Sequence, residues 1–291
     1  MSWTLGIIGG SGLYAIDGLE DWEIFTPETP WGLPSDHLVR GRIGQTQLVF
    51  LPRHGKGHRL SPSDVPYRAN IAALKMAGCT DILSVSACGS LQEAYAPGHV
   101  VAVDQFIDRT MARPQSFFGE GLVAHVSMAD PVCRRLSALA ADAVEAAGGR
   151  VHRGGTYIAM EGPQFSTRAE SALYRQWGAD VIGMTNMPEA RLAREAELPY
   201  ATLAMVTDHD CWRSPEEAVT VTEVLQVMHQ NSALARRAIH QLALDLSGTV
   251  RTASPQGIEN SLDSALITTA DARNPELIDR LRVIAGRVLG G

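Results

Sequence analysis

Short apolar runs alternate along the chain with longer stretches in which apolar residues recur every three or four positions. This alternation predicts strands and amphipathic helices, because side chains repeat with a period of two in a strand and about 3.6 in a helix. Strands are predicted at 4–9, 37–43, 47–51, 81–87, 100–106, 151–160, 181–183 and 200–206, with the second and third joined across Gly44 as a hairpin. Strands alternating with helices predict a single α/β domain.

Helices are predicted where a capping residue or proline precedes an amphipathic stretch. They span about 65–77, 130–147 with Asp130 as the cap, 168–177, a segment after 186–189, 214–246 with a capping box at 214–217, and a short segment after Pro275. Small and polar residues from 247 to 264 separate the last two helices. Residues 1–250 are therefore predicted to form one domain, and residues 251–291 an appendage packed on it or on a neighbouring subunit.

One apolar run ends in two carboxylates, in the stretch Thr207-Asp-His-Asp-Cys-Trp212. If 203–207 form a strand covered on both faces, Asp208 and Asp210 lie on the loop at its carboxyl end, where α/β sheets bind ligands. Residues two apart in extended chain point the same way, so both acids could face one ligand. Aspartate is also a common helix N-cap, and this stretch alone leaves both interpretations open.

The composition argues against several classes of function. A net charge of -7 disfavours a nucleic-acid or anionic-membrane surface, because both need a basic footprint. The N-terminus lacks the features of a signal peptide and no apolar run has membrane-spanning length, so a cytoplasmic protein is expected. The cysteines form no Cys-x-x-Cys pair, and His54 and His58 have no third ligand nearby in the sequence. We therefore expect neither a metal site nor a disulfide framework.

The first predicted strand leads into Gly10-Ser11-Gly12, whose backbone N–H groups and hydroxyl could cradle an anion. Gly10 to Ala15 also match a relaxed dinucleotide-binding fingerprint, which would suit an oxidoreductase. That fingerprint needs a second strand ending in an acid about 20 residues further on. Prolines at 27, 30 and 34 interrupt the chain there, so a nucleotide cofactor is disfavoured.

A polar loop beginning at Arg53 and His54 follows the hairpin. It is either a solvated basic turn or an anion grip, since arginine offers a planar fork of donors. Hydroxyls at Ser86 and Thr185 end two other predicted strands, and with the glycine loop they describe a phosphate site. Phosphate, two acids and an apolar pocket suit phosphorolysis of a purine nucleoside. In that reaction phosphate attacks C1′ of the ribose while an aspartate stabilises N7 of the leaving base.

These residues stand in motifs that resemble the trimeric purine nucleoside phosphorylase and methylthioadenosine phosphorylase family, nearest to its methylthioadenosine enzymes. The matching stretches span residues 5 to about 245 and are Gly6-Ile-Ile-Gly-Gly-Ser-Gly-Leu13, Arg53-His54-Gly55, Ala87-Cys-Gly-Ser-Leu91, Asp104-Gln-Phe-Ile-Asp-Arg-Thr110, Arg113-Pro-Gln-Ser-Phe117, Glu161-Gly-Pro-Gln-Phe-Ser166, Arg168-Ala-Glu-Ser171 and Thr207-Asp-His-Asp-Cys-Trp212. The resemblance implies a phosphorylase/hydrolase-like three-layer sandwich with a central mixed β-sheet, and a homotrimer. It also implies a pentosyltransferase of purine and methionine salvage that converts 5′-methylthioadenosine and phosphate into adenine and 5-methylthioribose 1-phosphate. No cofactor is expected, since inorganic phosphate is a co-substrate.

The resemblance also implies roles for individual residues. The phosphate-binding set is Ser11, Arg53, His54, Ser86, Ala87 and Thr185. Met184 would lie against the ribose, Phe165 and Ile182 around the base, with the catalytic Asp208 at N7 and Asp210 at the 6-amino group. The pocket for the 5′ substituent would be lined by Val221, Val224 and Leu225, with His58 near it and His125 supplied by the neighbouring subunit.

The acid pair bears on base specificity. A carboxylate matches the N–H donors of a 6-amino group and repels the oxygen of a 6-oxopurine, so Asp208 and Asp210 favour adenine. Family members that prefer 6-oxopurines typically carry Asn where Asp208 stands. His209, and Asn186-Met187 after Thr185, depart from the usual pattern of the methylthioadenosine group. The alternatives are a broader purine nucleoside phosphorylase acting on adenosine, 5′-deoxyadenosine or 6-oxopurine nucleosides, and a nucleoside-binding protein without turnover.

Overall fold

The computed structural model describes residues 2–10, 12–13, 15–213 and 221–290, without the side chains of 221–225. Its strands are β1 (Thr4–Gly9), β2 (Glu20–Phe25), β3 (Leu38–Ile43), β4 (Thr46–Pro52), β5 (Asp81–Ser90), β6 (Val100–Ala102), β7 (Gln105–Arg109), β8 (Val151–Arg153), β9 (Thr156–Met160), β10 (Val181–Gly183) and β11 (Tyr200–His209). Its helices are α1 (Tyr67–Met76), α2 (Arg134–Ala146), α3 (Arg168–Gln176), α4 (Asn186–Glu195), α5 (Val221–Leu246) and α6 (Pro275–Leu289). None of the described helices is both long and apolar enough to cross a membrane.

Strand β5 is the centre of a mixed sheet. Along one edge it pairs in parallel with β11 over residues 82–90. Its other edge pairs in parallel with β1 over 81–84, and then antiparallel with β10 at 89–90. Residues 85–88 of that edge therefore lie between two neighbouring strands that diverge. A sheet that splits in this way leaves a concave space beside the central strand.

Helices cover both faces of the sheet, as expected for an α/β fold. One apolar core packs the sheet against α1, α4 and α6, with Ile71, Leu192 and Leu281 fully buried in it. A second apolar core packs the sheet against α2 and α5, with Leu136 and Leu242 buried in it. The predicted α/β class with a central mixed sheet is confirmed.

Two of the predicted strands are each divided in the structure. Residues 151–160 form β8 and β9, because Gly154 (φ +89°) and Gly155 (φ +143°) turn the chain between them, a conformation that L side chains rarely adopt. The first half pairs with β6 and the second with β7 and β10. Residues 100–106 are likewise divided between β6 and β7. Strand β2 was not predicted; it is only six residues long, five of them are exposed, and its alternating apolar residues Trp22 and Ile24 face solvent.

Helix α2 begins later than the sequence predicts. Asp130 is not its N-cap; the carboxylate pairs with Arg134 at the surface, and the N-cap position is Cys133. The amide of Cys133 donates to the carbonyl of Tyr200 at 2.8 Å, so the chain is still extended at the position where a helix was expected. The prediction of a capping box at 214–217 lies outside the described residues.

The segment after residue 250 packs closely on the rest of the chain. In α6, Leu281, Ile284 and Ala285 are buried in the same apolar core as α1 and α4. Arg251 pairs with the buried Asp81, which lies at the start of β5. The final helix thus begins where the pattern predicts it, directly at Pro275.

Candidate active site

A cavity of about 720 Å³ opens beside β5, where its edge lies between β1 and β10. It is large enough for a nucleoside together with a small anion. Strands β5, β10 and β11, the loop after β4 and helix α5 all contribute to its walls. The predicted site residues among the described side chains that line it are Arg53, His54, His58, Ser86, Ala87, Phe165, Ile182, Met184, Thr185, Asp208 and Asp210.

The two aspartates stand at the carboxyl end of β11, and the strand continues further than predicted. Asp208 lies within β11 opposite Gly89, after a bulge that inserts Thr207 between two register positions. Asp208 is therefore held by the sheet and not by a loop, and the loop prediction is wrong for it. A β-carbon on Gly89 would lie 3.5 Å from Asp210 Cβ and 3.7 Å from Asp208 Oδ2, so both acids lean over this glycine.

The environment of Asp208 favours a carboxyl group that keeps its proton. Burial raises its pKa, the hydroxyl of Thr207, 2.6 Å from Oδ1, lowers it, and the nearby charge of Asp210 raises it again. The net effect is a raised pKa. A buried acid of this kind can share a proton with a nitrogen of a bound base.

Asp210 is held by a residue that the sequence did not single out. The hydroxyl of Ser166 lies 3.0 and 2.8 Å from its two oxygens. The backbone amide of Asp210 donates to Ser90 O, and the indole of Trp212 donates to the same carbonyl at 2.8 Å. His209, between the two acids, packs edge-on against Trp212, with 5.6 Å between ring centroids. The residues after β11 are therefore tied to the end of β5.

Arg53 is buried, and most of its donors have protein partners. Its Nε and Nη2 donate to the two oxygens of Glu189 at 2.8 and 3.0 Å. Nη2 also donates to Ser84 Oγ at 2.6 Å, and Nη1 to Val85 O at 3.3 Å. Burial works to lower the pKa of Arg53, but the charge and hydrogen bonds of Glu189 outweigh it and raise that pKa. The solvated-turn alternative is wrong for Arg53. Its guanidinium is a fixed positive group in the cavity wall.

His54 is neutral at physiological pH. Burial, opposed by a hydrogen bond to Leu60 O and assisted by the charge of Arg53, lowers its pKa to about 4. Its Nδ1 lies 2.9 Å from that carbonyl, so Nδ1 carries the proton. His58 stacks on it at 4.1 Å between ring centroids. No cluster of three metal-ligating side chains occurs in the described part of the chain.

The other predicted site residues fall into three groups. Phe165, with 85% of its surface exposed, and Ile182 both line the cavity. The expectations for Ser11 and for the side chains of Val221, Val224 and Leu225 lie outside the described residues. His125 is exposed and does not line the cavity; its amide donates to Ala265 O at 2.9 Å.

Arg113 is a second residue that the sequence left without a role. Its buried guanidinium donates to the carbonyls of Met184 at 2.5 Å, Met187 at 2.7 Å and Glu161 at 2.6 Å. Met184 lines the cavity, so Arg113 fixes the backbone of this part of the cavity wall without lining the cavity itself. A lone arginine in a loop motif cannot be assigned this role from sequence, because its partners are carbonyls from other loops.

A branched mixed sheet with a cleft that is lined by a buried arginine and by a pair of acids defines an α/β protein with a polar ligand cleft. The chain belongs to the Phosphorylase superfamily, which matches residues 4–243.

Within this superfamily, the chain is similar to methylthioadenosine phosphorylases. The chain is 56% identical to the S-methyl-5′-thioadenosine phosphorylase of Cereibacter sphaeroides, over all of both chains, and 56% identical to that of Bradyrhizobium diazoefficiens, over 99% of each. Among solved structures it is similar to a methylthioadenosine phosphorylase from an antarctic soil metagenomic library, with a TM-score of 0.92 and 48% identity over 97% of this chain and 99% of that one. It also resembles the Schistosoma mansoni methylthioadenosine phosphorylase in complex with adenine, with a TM-score of 0.85 and 38% identity over 91% and 99%.

Proposed function

We propose that the protein is a pentosyltransferase that converts 5′-methylthioadenosine and phosphate into adenine and 5-methylthioribose 1-phosphate. The observation that carries the proposal is one cleft along β5, in which the buried Arg53 contacts Val85 and the two aspartates lie beside Gly89. The names of the relatives agree with this substrate.

The geometry supports a division of labour along the cleft. Phosphate binds near Arg53, Ser86, Ala87 and Thr185, where it can attack C1′ of the ribose. As the bond to the base weakens, positive charge builds on the sugar and electron density moves onto the purine. Asp208, with its raised pKa, meets that density at N7. Stabilising charge where it develops in the transition state is the main source of rate enhancement in such a reaction.

The base end of the cleft favours a 6-aminopurine. Asp210 is an acceptor whose oxygens face the hydroxyl of Ser166, and a 6-amino group can add donors to the same carboxylate. A 6-oxo group would place an acceptor against it. A buried mismatch of this kind costs on the order of several kcal/mol.

A comparison of three substrates tests the proposal. With phosphate present, we expect kcat/KM to fall in the order methylthioadenosine, adenosine, inosine, with inosine at least about a hundredfold below the first. Adenine and hypoxanthine release is followed by absorbance, and a phosphate-free reaction is the control. Good cleavage of inosine with no adenine released from methylthioadenosine would overturn the assignment in favour of a 6-oxopurine enzyme.

We also propose that the active assembly is a homotrimer, in which His125 of one subunit approaches the 5′ end of the neighbour's cleft. Its exposure in the single chain supports this proposal. His125→Ala is expected to raise KM for methylthioadenosine roughly tenfold with little change in kcat, since the contact lies away from the reacting atoms. Steady-state kinetics check this. His229→Ala, on the exposed part of α5, is the control, and an unchanged KM in His125→Ala would place the subunit contact elsewhere.

A further inference from the structure

A buried chain of hydrogen bonds runs from Arg53 to Ser86, below the anion end of the cleft. Arg53 pairs with Glu189, and Glu189 Oε1 is 2.9 Å from the hydroxyl of Tyr200. Asn186 Nδ2 lies 2.7 Å from Tyr200 Oη, and Asn186 Oδ1 lies 3.0 Å from Ser86 Oγ. Four of these residues are fully enclosed by protein, and Ser86 lines the cavity.

The donor and the acceptor of each hydrogen bond in this series are fixed by the charge of Glu189 and the proton of Tyr200. The Glu189 carboxylate already accepts two hydrogen bonds from Arg53, so toward Tyr200 it is again an acceptor. Tyr200 is a donor there, because burial raises the pKa of its hydroxyl and keeps it protonated. The oxygen of Tyr200 is then free only to accept, and its partner across 2.7 Å must be an N–H group.

This requirement determines the orientation of the Asn186 amide. Its NH₂ group donates its two protons to Tyr200 Oη and to Thr202 Oγ1, which lies at 2.8 Å, while Ser84 Oγ is a longer contact at 3.2 Å. The reversed amide would set its oxygen against a tyrosine oxygen whose proton is already committed. The amide oxygen of Asn186 therefore faces Ser86, and an oxygen of this kind can only accept.

Ser86 must then donate its single hydroxyl proton to Asn186, away from the cavity. The hydroxyl of Tyr157 is a second polar neighbour of Ser86, but among the described residues the contact of Ser86 Oγ with Asn186 Oδ1, at 3.0 Å, is the one with the distance and angle of a hydrogen bond. What Ser86 presents to the cleft is a lone pair. An anion that carries no hydrogen would meet repulsion at this position.

We propose that Asn186 is a positioning residue that makes Ser86 a hydrogen-bond acceptor toward the cleft, so that a substrate O–H group binds there, either the P–OH of phosphate or a ribose hydroxyl. This inference rests on the proposed function, because it concerns the substrates of that reaction. It accounts for the buried polar side chain of Asn186 at the start of α4.

A comparison of phosphate with sulfate tests whether the O–H group that binds Ser86 is the P–OH of phosphate. Both are tetrahedral dianions near pH 8, but only phosphate carries an O–H group. We expect the wild-type protein to prefer phosphate over sulfate, and Ser86→Ala to reduce that preference roughly tenfold, the effect of one hydrogen bond to a charged group. Ser86→Thr retains the acceptor and should restore the preference. Binding is measured by titration calorimetry without nucleoside.

Asn186→Ala should lower the same preference, although Asn186 does not line the cleft, because Ser86 can then rotate and donate to either anion. Thr202→Val is the matched control, since Thr202 accepts from the same amide but lies off the path to Ser86. Its preference should stay at the wild-type value. Thermal unfolding checks that each variant is folded. If Asn186→Ala does not fold, the Ser86 variants decide.

If the anion preference does not change in Ser86→Ala, the ribose source is tested with 2′-deoxy and 3′-deoxy analogues of the nucleoside. The wild type should then bind one of these analogues more weakly than the nucleoside itself. Ser86→Ala should largely remove that difference in affinity. If neither the anion preference nor the deoxy penalty changes, the proposal is overturned. The anion titration needs no turnover, so failure to release adenine would count against the proposed function and not against this inference.

Discussion

Asp208→Asn is expected to reduce kcat/KM for methylthioadenosine roughly a thousandfold, in the middle of the range for loss of a general acid. An amide can still donate a hydrogen bond at N7, but it cannot transfer a proton as the base leaves. The pKa of Asp208 is raised, first by burial, so the wild-type carboxyl keeps its proton to a higher pH than an exposed aspartate does. In the wild type, kcat/KM should therefore fall as the pH rises through that pKa.

The substitution should leave folding and phosphate binding nearly intact. A carboxyl group whose pKa is raised in the folded state lowers the free energy of unfolding at pH values above its unfolded pKa, since unfolding frees it to ionise. Replacing this titratable group with an amide should therefore leave the free energy of unfolding unchanged or raise it slightly. Asp279→Asn, on an exposed turn of α6, controls for the chemistry of the change. A phosphate KM that rises as much as kcat/KM falls would show that Asp208 does not act on the base.

Glu189→Gln is expected to lower the free energy of unfolding by about 3–5 kcal/mol, the usual cost of removing one partner of a buried ion pair. Both members of the Arg53–Glu189 pair are almost fully enclosed, with side-chain exposures of 3% and 1%. Glutamine has the same shape but no charge, so Arg53 would be left in the interior without its counter-ion. Urea unfolding followed by circular dichroism measures the loss.

Phosphate should partly reverse this destabilisation. An anion bound beside Arg53 replaces some of the missing charge, and a ligand that binds only the folded state stabilises it. We expect the unfolding midpoint of Glu189→Gln to rise more with added phosphate than that of the wild type. Glu145→Gln is the control, because Glu145 pairs with Arg153 on the surface, where neither change should be measurable. If phosphate raised the unfolding midpoints of Glu189→Gln and the wild type equally, phosphate would not bind beside Arg53.

The predictable parts of the fold were those governed by local pattern. The strands 4–9 and 200–206, the hairpin and the long helix follow from apolar periodicity, which depends only on the residues themselves. The division of 151–160 at Gly154 and Gly155 was missed, because each half pairs with a different strand. The exposed strand β2 was also missed, since its alternation is limited to Trp22 and Ile24 and its place in the sheet depends on pairing with β3.

The candidate site divides in the same way. Asp208, Asp210, Arg53 and His54 stand out in the sequence, because charged or titratable residues at the ends of apolar runs suggest chemistry. Arg113, Ser166, Glu189 and Tyr200 do not stand out, since their partners lie far along the chain. Glu189 is 136 residues from Arg53, and Ser166 is 44 from Asp210.

The sequence by itself determined the class of fold, the elements that carry the chemistry, and the family to which the chain belongs. Only the tertiary structure decided how those side chains act. In the structure, Asp208 lies in the strand and not in a loop. The guanidinium of Arg53 forms an ion pair with Glu189, and the hydroxyl of Ser86 is oriented by its hydrogen bond to Asn186. The physical reason is that proton position and charge balance depend on every neighbour within a few ångströms. In a sheet that branches at β5, those neighbours come from distant parts of the chain.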